Sequence, residues 1–330
     1  MQNLTDIVNS LLIESYGIYQ TDKIELLGGV GPNLNFKIVV ERGCNYILQC
    51  SSLENEELKR EMEFAQLLKK NEIPVNEFIS CKNGDKIFSN NMGNWVLKKY
   101  INGKIFELNS CQEIKMAATM LARIHHIPFR GNKYFFASIH DPYYWLYDMN
   151  KELELLEREI AKEITLCEIK ETVFAINSCY SLEDYKKLPL AIVHGDYHGR
   201  NLLFCQKKIN GVLDLDTIGI SPRIIDVAEA IFLMGRQKYG SYYTNNEIIF
   251  EFLKRYEEFF PLTNDEIEVA GLILKLRMIP RAKYIRLLKK KSYISAINQI
   301  EWSKEAVKLI DKVFTKENLV CLKQKKRIVL

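Results

Sequence analysis

The apolar positions of the 330-residue chain fall into two periods, and the change between them divides it into elements. Near the N-terminus, Leu34 to Val40 and Tyr46 to Cys50 are short apolar runs that read as strands, turned at Glu41-Arg42-Gly43 and preceded by the Gly-rich turn Gly28 to Asn33. From Glu54 to Lys70 the pattern changes: Leu58, Met62, Ala65 and Leu68 recur at intervals of three and four, which predicts an amphipathic helix ending before Ile73-Pro74. Trp95 to Leu97 begins another apolar strand, which runs into a turn at Gly103, and Ile114, Ala117, Leu121 and Ile124 mark a second amphipathic helix. Farther on, Ala191-Ile192-Val193, Leu202-Leu203-Phe204 and Ile209 to Leu215 read as strands, Ser221 to Ala230 as a helix start, and Ile248 to Phe259 and Ile300 to Val313 as helices, with turns near Pro261 and Pro280.

Between the strands at 191–193 and 202–204 lies a polar stretch, His194-Gly195-Asp196-Tyr197-His198-Gly199-Arg200-Asn201, and the strand from Ile209 ends in Asp214-Leu215-Asp216. A kinase needs a group to accept or orient the proton of the attacking hydroxyl and oxygen ligands for the metal that neutralises the triphosphate. Asp196, Asn201 and Asp214 supply these, and one strand hairpin is expected to carry them all. An isolated Asp and Asn would more simply cap a turn. Three such residues in register between apolar strands favour the chemical reading.

The pattern H-G-D-x4-N followed by D-x-D resembles the aminoglycoside phosphotransferase and choline kinase-like phosphotransferases, a family that includes type II homoserine kinases and spore-coat kinase-like proteins. The resemblance covers residues 25 to 235. It implies an α+β, two-lobed protein-kinase-like fold with a small β-rich N-terminal lobe, 1–98, that binds nucleotide and a larger, mainly helical C-terminal lobe, 99–330, that binds substrate. It also implies ATP and Mg2+ as cofactors and a small-molecule hydroxyl as acceptor. In that scheme Asp196 is the catalytic residue, Asn201 and Asp214 hold the metal, and the turn with Gly29, Gly31 and Asn33 covers the phosphates. Taken alone that turn is equally a plain hairpin. Glu61 falls where the family's helix sends a glutamate toward a nucleotide-binding lysine, and the lysine position falls on Gln49, which cannot compensate phosphate charge. Lys37 on the preceding strand is the nearest alternative cation. Lys99, Tyr100 and Ile101 fall on the linker whose backbone meets the adenine. Asp226 is expected to hold the catalytic loop through hydrogen bonds, and His125 and His126 to be structural. His198 and Asp216 are possible acceptor contacts, with Asp216 also open to a second metal contact or a turn cap.

Composition narrows the acceptor. The net charge of +4 conceals +9 from Pro261 to Leu330 and −5 before it, and Lys275 to Lys291 holds eight of the basic residues. This is either a solvated helical face or a surface for an anionic group. Such a basic excess favours a sugar or an amino-acid alcohol over a polycationic aminoglycoside. The eight cysteines include no C-x-x-C pair and are expected to be reduced and mostly buried. No apolar run is long enough to span a bilayer, the N-terminus lacks a basic leader, and no nucleic-acid motif accompanies the charge. The expectation is a cytoplasmic small-molecule kinase without nucleic-acid or membrane partners. The alternative is a catalytically weak or inactive kinase-like structural protein, such as one of a spore coat. A protein kinase is disfavoured by the short interval between Asp214 and Pro222.

Overall fold

Strand pairing builds the first part of the computed structural model, which describes residues 4–28, 33–40, 43–51, 53–129, 140–160, 164–238 and 243–314 and divides into two units, Met1–Asn102 and Gly103–Leu330. The first unit starts with α1 (Leu4–Leu11) and continues through β1 (Thr21–Gly28), β2 (Leu34–Val40), β3 (Asn45–Ser51), α2 (Asn55–Lys70), β4 (Phe78–Ile79), β5 (Phe88–Asn90) and β6 (Gly93–Lys99). Its sheet is antiparallel in the order β1-β2-β3-β6-β4, with β5 also on β6. Pairing Phe36 with Leu48 and Leu48 with Leu97 aligns the apolar residues on one face, where Phe36, Ile38, Leu48, Cys50, Trp95 and Leu97 bury themselves against Val8, Leu11 and Leu12. The other face carries the rows Lys37–Ile47–Lys98 and Asn35–Gln49–Val96, and there Val96 packs against Leu58 and Met62 of α2. The N-terminus of α2 is closed by Glu57, whose carboxylate accepts the Glu54 N–H at 2.9 Å. Gly29 and Gly31 and the tail at 323–327 lie outside the described residues.

The second unit contains β7 (Lys104–Ile105), α3 (Cys111–His125), α4 (Tyr143–Tyr147), α5 (Met149–Ile160), α6 (Cys167–Cys179), α7 (Leu182–Lys187), β8 (Leu190–Val193), β9 (Leu202–Cys205), β10 (Lys208–Val212), β11 (Gly219–Pro222), α8 (Ile224–Met234), α9 (Asn246–Glu257), α10 (Asn264–Met278), α11 (Ala282–Lys291) and α12 (Tyr293–Val313). Pro280 separates α10 from α11, since its ring removes a donor and disfavours helix in the residue before it. The helical stretches expected at 248–259 and 300–313 are both present, the second as the end of the longer α12.

Three expectations are corrected here. The polar stretch does not sit within one hairpin: β8 pairs with β11, whereas β9 pairs with β10 and β7, so the loop 194–201 joins two separate sheets. The strand from Ile209 also stops at Val212, because Asp214 has φ +60°, which takes the chain out of the extended region. Among the described cysteines, Cys44, Cys111, Cys167 and Cys179 are exposed and only Cys50 and Cys81 are buried. Cys111 and Cys167 open helices and Cys44 lies beside a turn, positions with no core to enter.

Candidate active site

The loop after β8 is held by its backbone. Asp226, fully buried in the first turn of α8, accepts the N–H groups of His194 at 2.7 Å and Gly195 at 2.9 Å. Its Oδ2 also faces His125 Nε2 at 3.1 Å, and His125 Nδ1 lies 2.8 Å from the Tyr256 hydroxyl. A carboxylate only accepts, so the His125 proton is on Nε2 and Tyr256 donates to Nδ1. Burial opposes charge on Asp226, but the His125 hydrogen bond, the nearby histidines and the Gly195 N–H outweigh it and hold its pKa below the ordinary carboxylate value. Both expectations hold: Asp226 grips the loop, and His125 is structural. From the other side, the buried Arg277 of α10 donates to the Gly195 carbonyl. Gly195 itself has φ +80°, and a Cβ there would lie 2.3 Å from the Thr217 carbonyl oxygen, so the turn accepts only glycine.

This frame sets Asp196 and Asn201. Asn201 Nδ2 donates to the Asp196 carbonyl at 2.9 Å and to its Oδ2 at 3.0 Å, while His198 Nε2 lies 3.4 Å from the same oxygen. Among the described residues no hydrogen bond reaches Asp196 Oδ1. Burial works against charge on Asp196, yet the His198 hydrogen bond and the positive charges of His198 and Arg277 hold its carboxyl well below the usual range. The same contact raises the His198 pKa in spite of burial. Asp196 is therefore ionised at neutral pH, as an acceptor of a hydroxyl proton must be.

The metal-ligand candidates meet through β-pairing. Leu202 lies opposite Val212, and the next residue, Leu213, donates its N–H to the Asn201 carbonyl at 2.8 Å, which brings Asp214 alongside Asn201. His194 joins the two segments, with Nε2 at 2.8 Å from the Leu213 carbonyl and Nδ1 accepting the Asp196 N–H at 3.3 Å. An amide oxygen and a carboxylate fit Mg2+, which takes one or two protein oxygens and completes its octahedron with phosphate and water. Among the described residues no group of three or more His, Cys, Asp and Glu forms a metal cluster. Asp216 is half-buried, two residues beyond the exposed Asp214.

Two residues that the motif did not identify adjoin Asp196. Glu229 of α8 is buried, and desolvation pushes its pKa up to about 7 against the pull of Arg277, whose guanidinium is 3.5 Å away. No local pattern marks either residue, since α8 and α10 bring them to the loop from positions 229 and 277.

In the first unit Lys37, Gln49 and Glu61 lie on or against one face of the sheet, but the expected lysine partner is corrected. Glu61 pairs with Lys98 of β6 at 2.7 Å, both side chains being nearly buried, whereas Lys37 Nζ lies over the Tyr100 ring at 4.4 Å. The register explains it: Lys98 is opposite Ile47 and projects toward α2. In the expected linker, Lys99 N–H donates to Glu77, its carbonyl accepts from Asn76, and Tyr100 N–H donates to Asn45. Sheet-edge bonds thus occupy Lys99, and among the described residues Ile101 is the linker position whose backbone they leave aside. Asn33 directly precedes β2.

The basic stretch 275–291 is largely neutralised within the second unit. Arg281 meets Glu152 at 2.6 Å, Arg286 and Lys289 meet Glu159 at 2.7 and 3.3 Å, and Lys275 meets Asp311 at 2.5 Å. With these pairs formed, the segment presents little of the positive charge that would repel a cationic acceptor.

Among the described residues no helix is long and apolar enough to cross a membrane. No curated protein sequence matches the chain. Similar solved structures include an amicoumacin kinase in complex with AMP-PNP and Ca2+ (15% identity, 96% of each chain covered, TM-score 0.63). A spectinomycin phosphotransferase in complex with ADP and spectinomycin is also similar (15% identity, 95% of this chain and 98% of that one, TM-score 0.65). A Plasmodium vivax ethanolamine kinase is similar to the same degree (14% identity, 93% of this chain and 89% of that one, TM-score 0.65). At these identities the likeness establishes the fold, α+β and kinase-like, with an antiparallel N-terminal sheet and a larger helical part. The model of the phosphotransferase enzyme family matches residues 23–248, more than half of the sequence, and the chain belongs to that family.

Proposed function

We propose that the protein is an ATP- and Mg2+-dependent phosphotransferase that moves the γ-phosphoryl group to a hydroxyl of a small molecule. The observation that carries this reading is the double hydrogen bond from Asn201 to Asp196 beside Asp214, which sets an ionised carboxylate next to two hard oxygen donors. Asp196 Oδ1 orients the acceptor hydroxyl and takes its proton as the oxygen attacks the γ-phosphorus and the bond from phosphorus to the β,γ-bridging oxygen breaks, so that ADP leaves. Asn201 and Asp214 would hold Mg2+, which when bound neutralises charge on the phosphate oxygens. The Gly28–Asn33 turn would cover the phosphates, and Tyr100 and Ile101 would meet the adenine edge.

The acceptor is a sugar or an amino alcohol in this reading. An ethanolamine kinase and antibiotic kinases share the fold, and Asp216 together with His198, which contacts Asp196, would offer both signs of charge to a zwitterion. The localisation proposed is cytoplasmic. The structural-protein alternative is supported by Gln49 alone, and Asp196, Asn201 and Asp214 have no reason to remain assembled in a chain freed from catalysis. The test is ADP release from Mg2+·ATP across a panel of sugars, amino alcohols and aminoglycosides, with the product identified by phosphorus NMR. Release no faster with any acceptor than without one would refute the reading.

A further inference from the structure

Resting on the proposed function, we propose that Lys98, held by Glu61, supplies the phosphate-compensating charge that Gln49 cannot, so the nucleotide lysine of this protein is on β6 instead of β3. Three observations converge. First, Lys98 and Gln49 share the α2 face of the sheet, in adjacent rows Lys37–Ile47–Lys98 and Asn35–Gln49–Val96, so a side chain from either strand serves the same surface. Second, the helix glutamate already has an ammonium partner, and it is Lys98 at 2.7 Å with 11% of the lysine side chain exposed and 4% of the glutamate. Third, Lys37, another cation on that face, is placed over the Tyr100 ring and not beside Glu61.

Physical chemistry favours a functional role for this pair. Desolvating two charges commonly offsets their attraction, so a buried Lys–Glu pair is a poor stabilising device. An ammonium also has three donors, and Glu61 engages one direction, with the Phe78 ring 4.7 Å from Nζ on another side. A glutamate that fixes a lysine while its remaining N–H groups point elsewhere is an arrangement for presenting charge to an anion. A glutamine on β3 is then tolerated because the charge arrives from the neighbouring strand.

The test is calorimetric titration of the full chain with Mg2+·ATP and, separately, with adenosine, which lacks the phosphates. Lys98→Met should weaken ATP binding by about 10- to 100-fold, the worth of a hydrogen bond to a charged group, and leave adenosine within about threefold. Gln49→Lys added to Lys98→Met should recover part of the loss by returning the charge through β3. Since Lys98→Met strands the Glu61 carboxylate, Lys98→Met with Glu61→Gln is the companion variant, in which neither charge is left unpaired; it should show the same selective loss. ATP binding within threefold of the parent in either variant would overturn the proposal, as would an equal loss of ATP and adenosine or a failure of both variants to fold, each of which marks a purely structural pair. If the parent protein binds ATP and turns over while Lys98→Met matches it, only this inference falls. If the parent binds neither ligand, the proposed function falls with it.

Discussion

The side-chain amide of Asn201 holds Asp196 at two points, its carbonyl at 2.9 Å and its Oδ2 at 3.0 Å, so the residue proposed to bind metal also orients the proposed base. The consequence is directional. With Oδ2 engaged by Asn201 and beside His198, the oxygen left to meet a hydroxyl is Oδ1.

Asp196→Asn should lower turnover by about 10² to 10⁴ while ATP affinity survives, because the loss falls on the acceptor hydroxyl. Steady-state rates with the best acceptor, combined with ATP titration, check this. Turnover within tenfold of the parent would remove Asp196 from that role.

Asp214→Ala takes a carboxylate from a hard-cation site and should weaken nucleotide binding in Mg2+ far more than in EDTA. Calorimetry in the two buffers distinguishes a metal ligand from a residue that merely shapes the turn. Equal affinity for Mg2+·ATP in variant and parent would exclude the ligand role.

Asp226→Ala leaves the N–H groups of His194 and Gly195 and the His125 ring without their acceptor in a fully buried place. Removing one partner of a buried charged network costs on the order of 3–5 kcal/mol, and the loop that carries Asp196 should loosen with it. Urea unfolding measures the first effect and turnover the second. A variant as stable as the parent would show that other bonds hold the loop.

Glu229 yields a pH prediction. Its folded-state pKa of about 7 lies above the roughly 4.3 of a free glutamate, so the native state binds this proton more tightly than the unfolded chain does. The stability that results is fully present below about pH 4.3 and is lost as pH rises toward 7. Glu229→Gln cannot titrate, so its urea midpoint relative to the parent should be higher at pH 8 than at pH 5. A difference independent of pH would show that Glu229 does not hold a proton at neutrality.

Much of the frame was legible in the residue order. The helices with Leu58 or Ile114 on their apolar faces and the strands around the H-G-D stretch follow from local periodicity, and Asp196, Asn201 and Asp214 stand close enough in sequence for one loop and one hairpin to join them. Local rules could not decide partners. Glu61 meets Lys98 across 37 positions because β3 and β6 pair in one register, and a shift of one residue would turn Lys98 to the apolar face in place of Leu97. Arg277 reaches Gly195 across 82 positions and Arg281 reaches Glu152 across 129, which turned an apparently basic surface into internal ion pairs. The sequence by itself determined which residue types stand at the chemical loop and which elements flank it, since both depend on neighbours within a few turns. Only the tertiary structure decided which charges meet, because a long side chain carries no mark of its partner until helices and strands distant along the chain are packed together.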